Sequence, residues 1–277
     1  MAMKSWKPVA LGILAALGVA MASGLAGNGS AASPAFPTPE PSGEAVTGSA
    51  FLVGPGLLVT NAHVVLRCRA EGRPVRVAGL AGPWRVLAEE STTDLSLLSG
   101  PPSNEAFLPL STAQRLPRDM PVMALGYPAL TLRPGQLEAT PGRIRRAALT
   151  VHDPEGGRAV SFVMTDRQGQ EVEARWEDGV RYFGTDRADR LRWRLEIDVA
   201  TGGGSSGGPV VDAAGNVVGV VYAGGRGSTA AVPLSDLRDL LARAGVAPLL
   251  RTPAGMAAPD WAAVRARAAQ AVRRISC

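Results

Sequence analysis

Gly202-Gly203-Gly204-Ser205-Ser206-Gly207-Gly208-Pro209 is the stretch on which the reading of this chain turns. Its glycine density lets the backbone approach a reacting carbonyl closely and adopt turns closed to other residues. A serine hydroxyl on such a loop becomes a nucleophile only when a base stands beside it. The loop lies between two strand-like segments. Leu191 to Val199 alternates apolar and charged residues at every step, which predicts a strand with one buried face. Pro209 to Asp212 starts a hairpin whose turn is Asp212-Ala213-Ala214-Gly215-Asn216.

Working outward, short apolar runs separated by Gly, Pro and Asp fill the chain from Ala45 onward, the pattern of an all-β barrel or sandwich. The first group of expected strands is Ser49 to Val53, Leu57 to Thr60, Val75 to Ala78, Trp84 to Ala88 and Leu95 to Leu98, followed by a proline-rich crossing loop over 101 to 118. The second group is Val122 to Leu125, Gly142 to Ala148, Val160 to Met164, Glu171 to Trp176, Leu191 to Val199, Pro209 to Asp212, Val217 to Tyr222 and Ala230 to Val232. Ser235 is a candidate cap for a helix closed by Gly245, and Asp260 for another whose face is Trp261, Val264, Ala268, Val272 and Ile275.

Chain order selects among the serine hydrolases. Gly204-Ser205-Ser206-Gly207-Gly208 fits the nucleophile elbow of α/β-hydrolases, but there the histidine follows the serine, and both histidines here, His63 and His152, precede Ser206. The subtilisin order needs an Asp before the His, and the first Asp of the chain is Asp94. A phosphate-binding loop needs a lysine that this stretch lacks. The order His63, Asp94, Ser206 remains, which is that of chymotrypsin. His63 ends the apolar run Leu57-Leu58-Val59-Thr60-Asn61-Ala62, and Asp94 opens the run Leu95-Ser96-Leu97-Leu98. His152 has no such context and reads as an exposed loop residue.

With Thr60-Asn61-Ala62-His63-Val64-Val65, Asp94-Leu95-Ser96-Leu97-Leu98 and the serine loop in this order, residues 46 to 240 resemble the bacterial trypsin-like peptidases related to the HtrA proteases. The likeness extends to Asp198, to Met123 through Pro128 and to Ala231-Val232-Pro233. It implies an all-β fold of two six-stranded antiparallel β-barrels, with short C-terminal helices, and a serine endopeptidase acting through an acyl-enzyme. Ser206 would be the nucleophile, His63 the general base and then acid, and Asp94 the group that holds the imidazole. The backbone N–H groups of Gly204 and Ser206 would form the oxyanion hole. Ala200 falls at the base of the primary pocket. With Thr201, Ala223, Gly224 and Ala231 it implies a small or apolar preference. The expected partner is a protein or peptide substrate, met by a monomer that needs no cofactor or metal.

Three departures from the family pattern stand out. Ser205 replaces the usual Asn, so no buried new amino terminus is expected to switch the enzyme on. Arg158 to Asp189 reads as an inserted hairpin that borders or shields the cleft, and the PDZ domain of HtrA proteases is missing. A second reading therefore stays open, a catalytically dormant chymotrypsin-fold binding module of the cell envelope.

The remaining features bound location and organisation. Lys4 and Lys7, the apolar stretch Val9 to Ala22 and the small residues Ala20-Met21-Ala22 predict a signal peptide over 1–22 and export to the periplasm or medium. Left uncut and extended to Ala26, the run of about 18 residues would serve as a membrane anchor. A Gly/Ser/Pro-rich linker follows over 23–45. Then come an N-terminal barrel with His63 and Asp94 (46–118), a C-terminal barrel with Ser206 (119–245) and a helix-bearing tail (246–277). Cys68 and Cys277 fit two free thiols or one disulfide, and an exported setting permits the bridge, which would tether the tail near the active site. A 46 % apolar and 19 % charged composition excludes wholesale disorder. The net charge is +5, and every basic residue after Lys7 is arginine. Clusters at Arg143 to Arg146, Arg187 to Arg194 and Arg273 to Arg274 read as solvated surface, with transient membrane-surface contact left open and no nucleic-acid motif present.

Overall fold

A computed structural model describes residues 47–129, 135–153, 158–225, 227–256 and 258–277. The expected signal peptide and linker lie outside the described residues, as does the side chain of His152.

The first group of elements is β1 (Thr47–Gly54), β2 (Leu57–Thr60), helix α1 (Ala62–Ala70), β3 (Arg76–Val77), β4 (Arg85–Glu90), β5 (Leu95–Ser99) and β6 (Leu110–Ser111). Then follow β7 (Pro121–Gly126), β8 (Glu138–Asp153), β9 (Arg158–Phe162), β10 (Met164–Thr165), β11 (Glu171–Val172), helix α2 (Trp176–Phe183) and a 3-10 turn over Thr185–Arg190. The last group is β12 (Leu191–Ile197), β13 (Pro209–Asp212), β14 (Val217–Gly224), β15 (Thr229–Pro233), α3 (Leu234–Arg243), β16 (Leu250–Arg251), α4 (Trp261–Ala268) and β17 (Val272–Ser276).

Six strands in the order β3-β17-β1-β2-β5-β4, all antiparallel, make the first sheet. A bridge between Val75 and Trp84 brings its two ends together. In the second sheet β13-β7-β8-β12-β15-β14 runs back to β13, closing a six-stranded ring, and β9, β6 and β16 are additions to it. Closure leaves no free edge within the ring. The fold is thus the expected chymotrypsin-like double β-barrel with short C-terminal helices.

Strand alternation explains how the barrels stack. In β7, Val122 and Ala124 enter the second barrel's interior cluster, while Met123 and Leu125 join the larger cluster of the first barrel and the junction. Every residue of β7 and β13 is buried for that reason, since neither face meets water. Helix α3 buries Leu234, Leu237, Leu240 and Leu241 on one side, as helical spacing requires.

Several local expectations give way to tertiary context. The helix from Asp260 stops at Ala268, and Val272 and Ile275 lie instead in β17, which pairs with β1 and β3. Their spacing suits a helix face, but the vacant position between β1 and β3 supplies ladder partners that a helix could not. Glu171 to Trp176 is strand only over β11, because Trp176 begins α2. That helix lays its buried Gly179 against Leu149 and Leu191. The 158 to 189 insertion is therefore an extension of β8 by β9, a small hairpin, a helix and a 3-10 turn. Pro233, not Ser235, precedes the first turn of α3, where a missing N–H costs nothing. Finally, β12 is not buried on one face alone, for Arg194 is only 4 % exposed.

Candidate active site

His63 stands in the first turn of α1, three residues beyond the end of β2, rather than at a strand end. Its main-chain N–H donates to Asp94 Oδ1 (2.9 Å), and its Nδ1 lies 2.7 Å from Asp94 Oδ2. An ionised carboxylate only accepts, so the contact makes Nδ1 the donor and leaves Nε2 on the side of the ring away from Asp94. The His63 side chain is 47 % exposed and that of Asp94 13 %, which puts the ring at the surface and the carboxylate beneath it. Asp94 adopts φ +64, a left-handed conformation uncommon outside glycine and visited by aspartate more readily than by most residues. Its carbonyl accepts from the N–H of Ala62 (3.2 Å) and from Asn61 Nδ2 (2.9 Å), which ties the turn to the start of α1.

The serine loop is fastened to the first barrel by a residue the sequence reading missed. Ser49, fully buried in β1, donates its N–H to the Ser206 carbonyl (2.9 Å) and its hydroxyl to the Gly204 carbonyl (2.8 Å). The same hydroxyl accepts from the Tyr127 N–H (2.7 Å), and the Ser49 carbonyl accepts from Thr60 Oγ1 (2.8 Å). Only the polarity of one serine in an otherwise apolar strand could have pointed to it. Glycine is required at 207, where φ is +85 and an added Cβ would stand 2.2 Å from the Ser49 carbonyl oxygen. Gly204, at φ +98, is confined in the same way against the Tyr127 carbonyl.

Ser206 Oγ donates to the Tyr222 carbonyl (3.2 Å) rather than to His63. The Tyr222 ring meets the His63 ring in a T-shaped contact with centroids 6.5 Å apart. Burial pushes the Tyr222 phenol above its usual range, which keeps it neutral. The structure thus joins His63 to Asp94 and brings Ser206 against the residue that neighbours His63, without a direct hydrogen bond between hydroxyl and imidazole.

Of the expected pocket residues, Gly224 lies against Thr201 and pairs with Thr229, Ala223 pairs with Ala230, Ala231 is buried, and Ala200 is exposed. Thr229, absent from the sequence reading, completes the set. Its hydroxyl donates to the Val199 carbonyl (2.8 Å) and lies 3.0 Å from Thr201 Oγ1. A hydroxyl has one proton, so Thr201 must donate to Thr229. The Gly224 backbone sits so close that an added Cβ would be 2.0 Å from Thr201 Oγ1. Thr201, Thr229 and Gly224, which meet here, carry no charge. Asp198 accepts from the Arg143 N–H and donates its own N–H to the Arg143 carbonyl (3.1 Å), fixing the start of the loop.

Cys68 on α1 and Cys277 after β17 are joined by a disulfide with Cα atoms 5.4 Å apart. It closes a span of 209 residues onto the helix whose first turn carries His63.

Two β-barrels with a histidine and carboxylate on one and a glycine-walled serine on the other define a peptidase-like hydrolase architecture. Comparison with known families agrees, since the model of the trypsin-like peptidase domain matches residues 48–220. The chain belongs to that family. No curated protein matches it. Among solved structures, the active form of the Rv3671c protease from M. tuberculosis is 22 % identical with a TM-score of 0.49, covering 76 % of this chain and 78 % of its own. Its inactive form is 23 % identical with a TM-score of 0.45, over 72 % and 84 %. The HtrA-type protease AlgW with a decapeptide is 21 % identical with a TM-score of 0.49, over 71 % and 51 %.

Proposed function

We propose that this chain is a serine endopeptidase in which Ser206 attacks the substrate carbonyl, His63 takes the hydroxyl proton and returns it to the leaving amine, and Asp94 orients the imidazole. The bond that forms is Oγ to carbonyl carbon, and the one that breaks is the scissile C–N. Water, activated by the same imidazole, then hydrolyses the acyl-enzyme. The N–H groups of Gly204 and Ser206 are the candidate donors to the oxyanion, worth about 3 kcal/mol each.

The observation that carries this reading is the His63–Asp94 contact of 2.7 Å in a trypsin-like peptidase domain whose serine loop is tied to the same barrel through Ser49. The mechanism requires the Ser206 hydroxyl to leave the Tyr222 carbonyl and turn toward the imidazole, and side-chain rotations of this kind take picoseconds to nanoseconds where the residue is accessible. The uncharged group of Thr201, Thr229 and Gly224 favours small uncharged side chains before the scissile bond. The disulfide suits export into an oxidising compartment, as the basic-apolar amino terminus also suggests. The chain acts on protein or peptide as a monomer in this reading.

Casein and alanine-ending chromogenic peptides should be turned over by the mature protein and left intact by Ser206→Ala. A folded wild type without turnover would instead support the binding-module reading. One observation favours that alternative, a cleft of about 610 Å³ whose lining includes Leu116, Phe162, Trp193 and Arg238 but none of His63, Asp94 and Ser206.

A further inference from the structure

Strand β12 sends two arginines into the loop that carries Asp94. Arg192 Nε donates to the Thr92 carbonyl (3.0 Å) and Arg194 Nη2 to the Thr93 carbonyl (3.2 Å). These are the two residues before Asp94, so both bonds brace the approach to its left-handed backbone. The first barrel holds the far side of the same turn through Ala62 and Asn61, so Asp94 is clamped from both barrels.

Arg194 is the more unusual of the pair, because a guanidinium buried to this degree has lost its water and must be held by protein groups. Its Nη1 donates to the Trp193 carbonyl (3.1 Å) and lies 3.9 Å from Asp236 Oδ2, while its Cζ stands 4.6 Å from the centroid of the Tyr222 ring. Burial works against its charged form, whereas Tyr222, Asp236 and Asp94 favour it. The Tyr222 ring is also the one in T-shaped contact with His63, so a single aromatic ring separates the buried cation from the imidazole. Around His63 the charged and titratable groups are Asp94 from the turn before β5 and Tyr222 from β14, backed by Arg194 and Arg192 from β12 and Asp236 from α3. Arg69, on the histidine's own helix, is paired with Glu89.

We infer that Arg194 is a positioning residue of the reaction, a buried cation that fixes the Thr93–Asp94 turn and, one ring away from His63, disfavours the imidazolium of the resting enzyme. The inference rests on the serine-peptidase reading. Arg194 touches no substrate; it acts through the Asp94 turn and through its field. Two separable consequences follow, one geometric and one electrostatic.

The test is the pH profile of kcat/KM on an alanine-ending peptide nitroanilide, with Ser206→Ala as the blank. Arg194→Met should lower kcat about ten- to a hundredfold, as loss of catalytic alignment does. Its acidic limb should move up by about half to one pH unit, because a cation that opposed imidazole protonation is gone. Arg194→Lys should return the limb toward wild type without restoring kcat, since it keeps the charge and loses the fork. Asp236→Asn should move the limb the other way, toward lower pH, and decides the matter if Arg194→Met does not fold. A folded Arg194→Met with wild-type kcat and limb, or an upward shift in Asp236→Asn, overturns the inference. Failure of the wild type to turn over peptide or to react with a phosphonate overturns the peptidase reading itself; an active wild type with unaffected variants overturns only the role of Arg194.

Discussion

His63 and Asp94, both carried by the first barrel, meet through two hydrogen bonds, whereas Ser206, carried by the second, directs its hydroxyl to the Tyr222 carbonyl. The contrast reflects how each half is held. The histidine and carboxylate are fixed by backbone as well as side chain, with the Asp94 turn gripped from several directions. The serine loop is fixed by its backbone, through Ser49 and the glycines, and its hydroxyl is held by a single hydrogen bond to the Tyr222 carbonyl. On the proposed mechanism, the scaffold is set on folding and the Ser206 hydroxyl is the part that must still turn toward the imidazole.

Breaking the first half should have the largest consequence. Asp94→Asn preserves shape but replaces an acceptor-only carboxylate with an amide, and kcat/KM should fall about 10⁴-fold with an unchanged far-UV spectrum. A loss of tenfold or less would mean that the imidazole does not depend on this carboxylate. Next, Cys277→Ser frees β17 from α1 and should lower unfolding free energy by about 2–5 kcal/mol, measured by urea denaturation. An unchanged midpoint would show that the strand pairing alone secures the chain end.

The second half is broken at Gly207. Alanine there must hold φ +85 with its Cβ against the Ser49 carbonyl, so Gly207→Ala should cost about 1–3 kcal/mol of stability and abolish phosphonate labelling. Full labelling of a stable variant would contradict the account of how the loop is fastened.

The smallest effect belongs to neither half and serves as the reference for both. Arg146 holds the Glu171 carboxyl below its usual range, with Arg118 assisting. A depressed carboxylate stabilises the fold above its unfolded value and loses that contribution as pH falls through the folded one. The pair is exposed, so the effect is slight and screened by salt. Relative to wild type, Glu171→Gln should show a small deficit in Tm at neutral pH that shrinks as acid protonates the wild-type carboxylate, with activity untouched. A deficit that does not shrink in acid would assign Glu171 a role beyond charge pairing.

What was legible in the chain follows the same division. The glycine-serine loop, the histidine run and the aspartate run each announce themselves locally, because glycine at positive φ and polar residues beside apolar strands leave marks in a linear sequence. The barrels were legible from period-2 runs and turn residues, and their pairing from resemblance. Ser49, Thr229 and Arg194 were not, since each owes its role to a partner far along the chain: Ser206 for the first, Thr201 and Val199 for the second, Thr93 and Asp236 for the third. Arg194 in particular sits in a strand whose alternation suggested a charged outer face, and only the packing of one barrel on the other buries it. The same cause misled the reading of Val272 and Ile275, where helical spacing yielded to a ladder position between β1 and β3.

The central claim is that the oxygen of residue 206 is the nucleophile. Incubating the mature protein with a fluorophosphonate and sequencing the modified peptide by mass spectrometry tests it most directly. One adduct is expected, on Ser206, and it should be lost when His63 is replaced by alanine. An adduct on any other residue, or one that survives in Ser206→Ala, would contradict it.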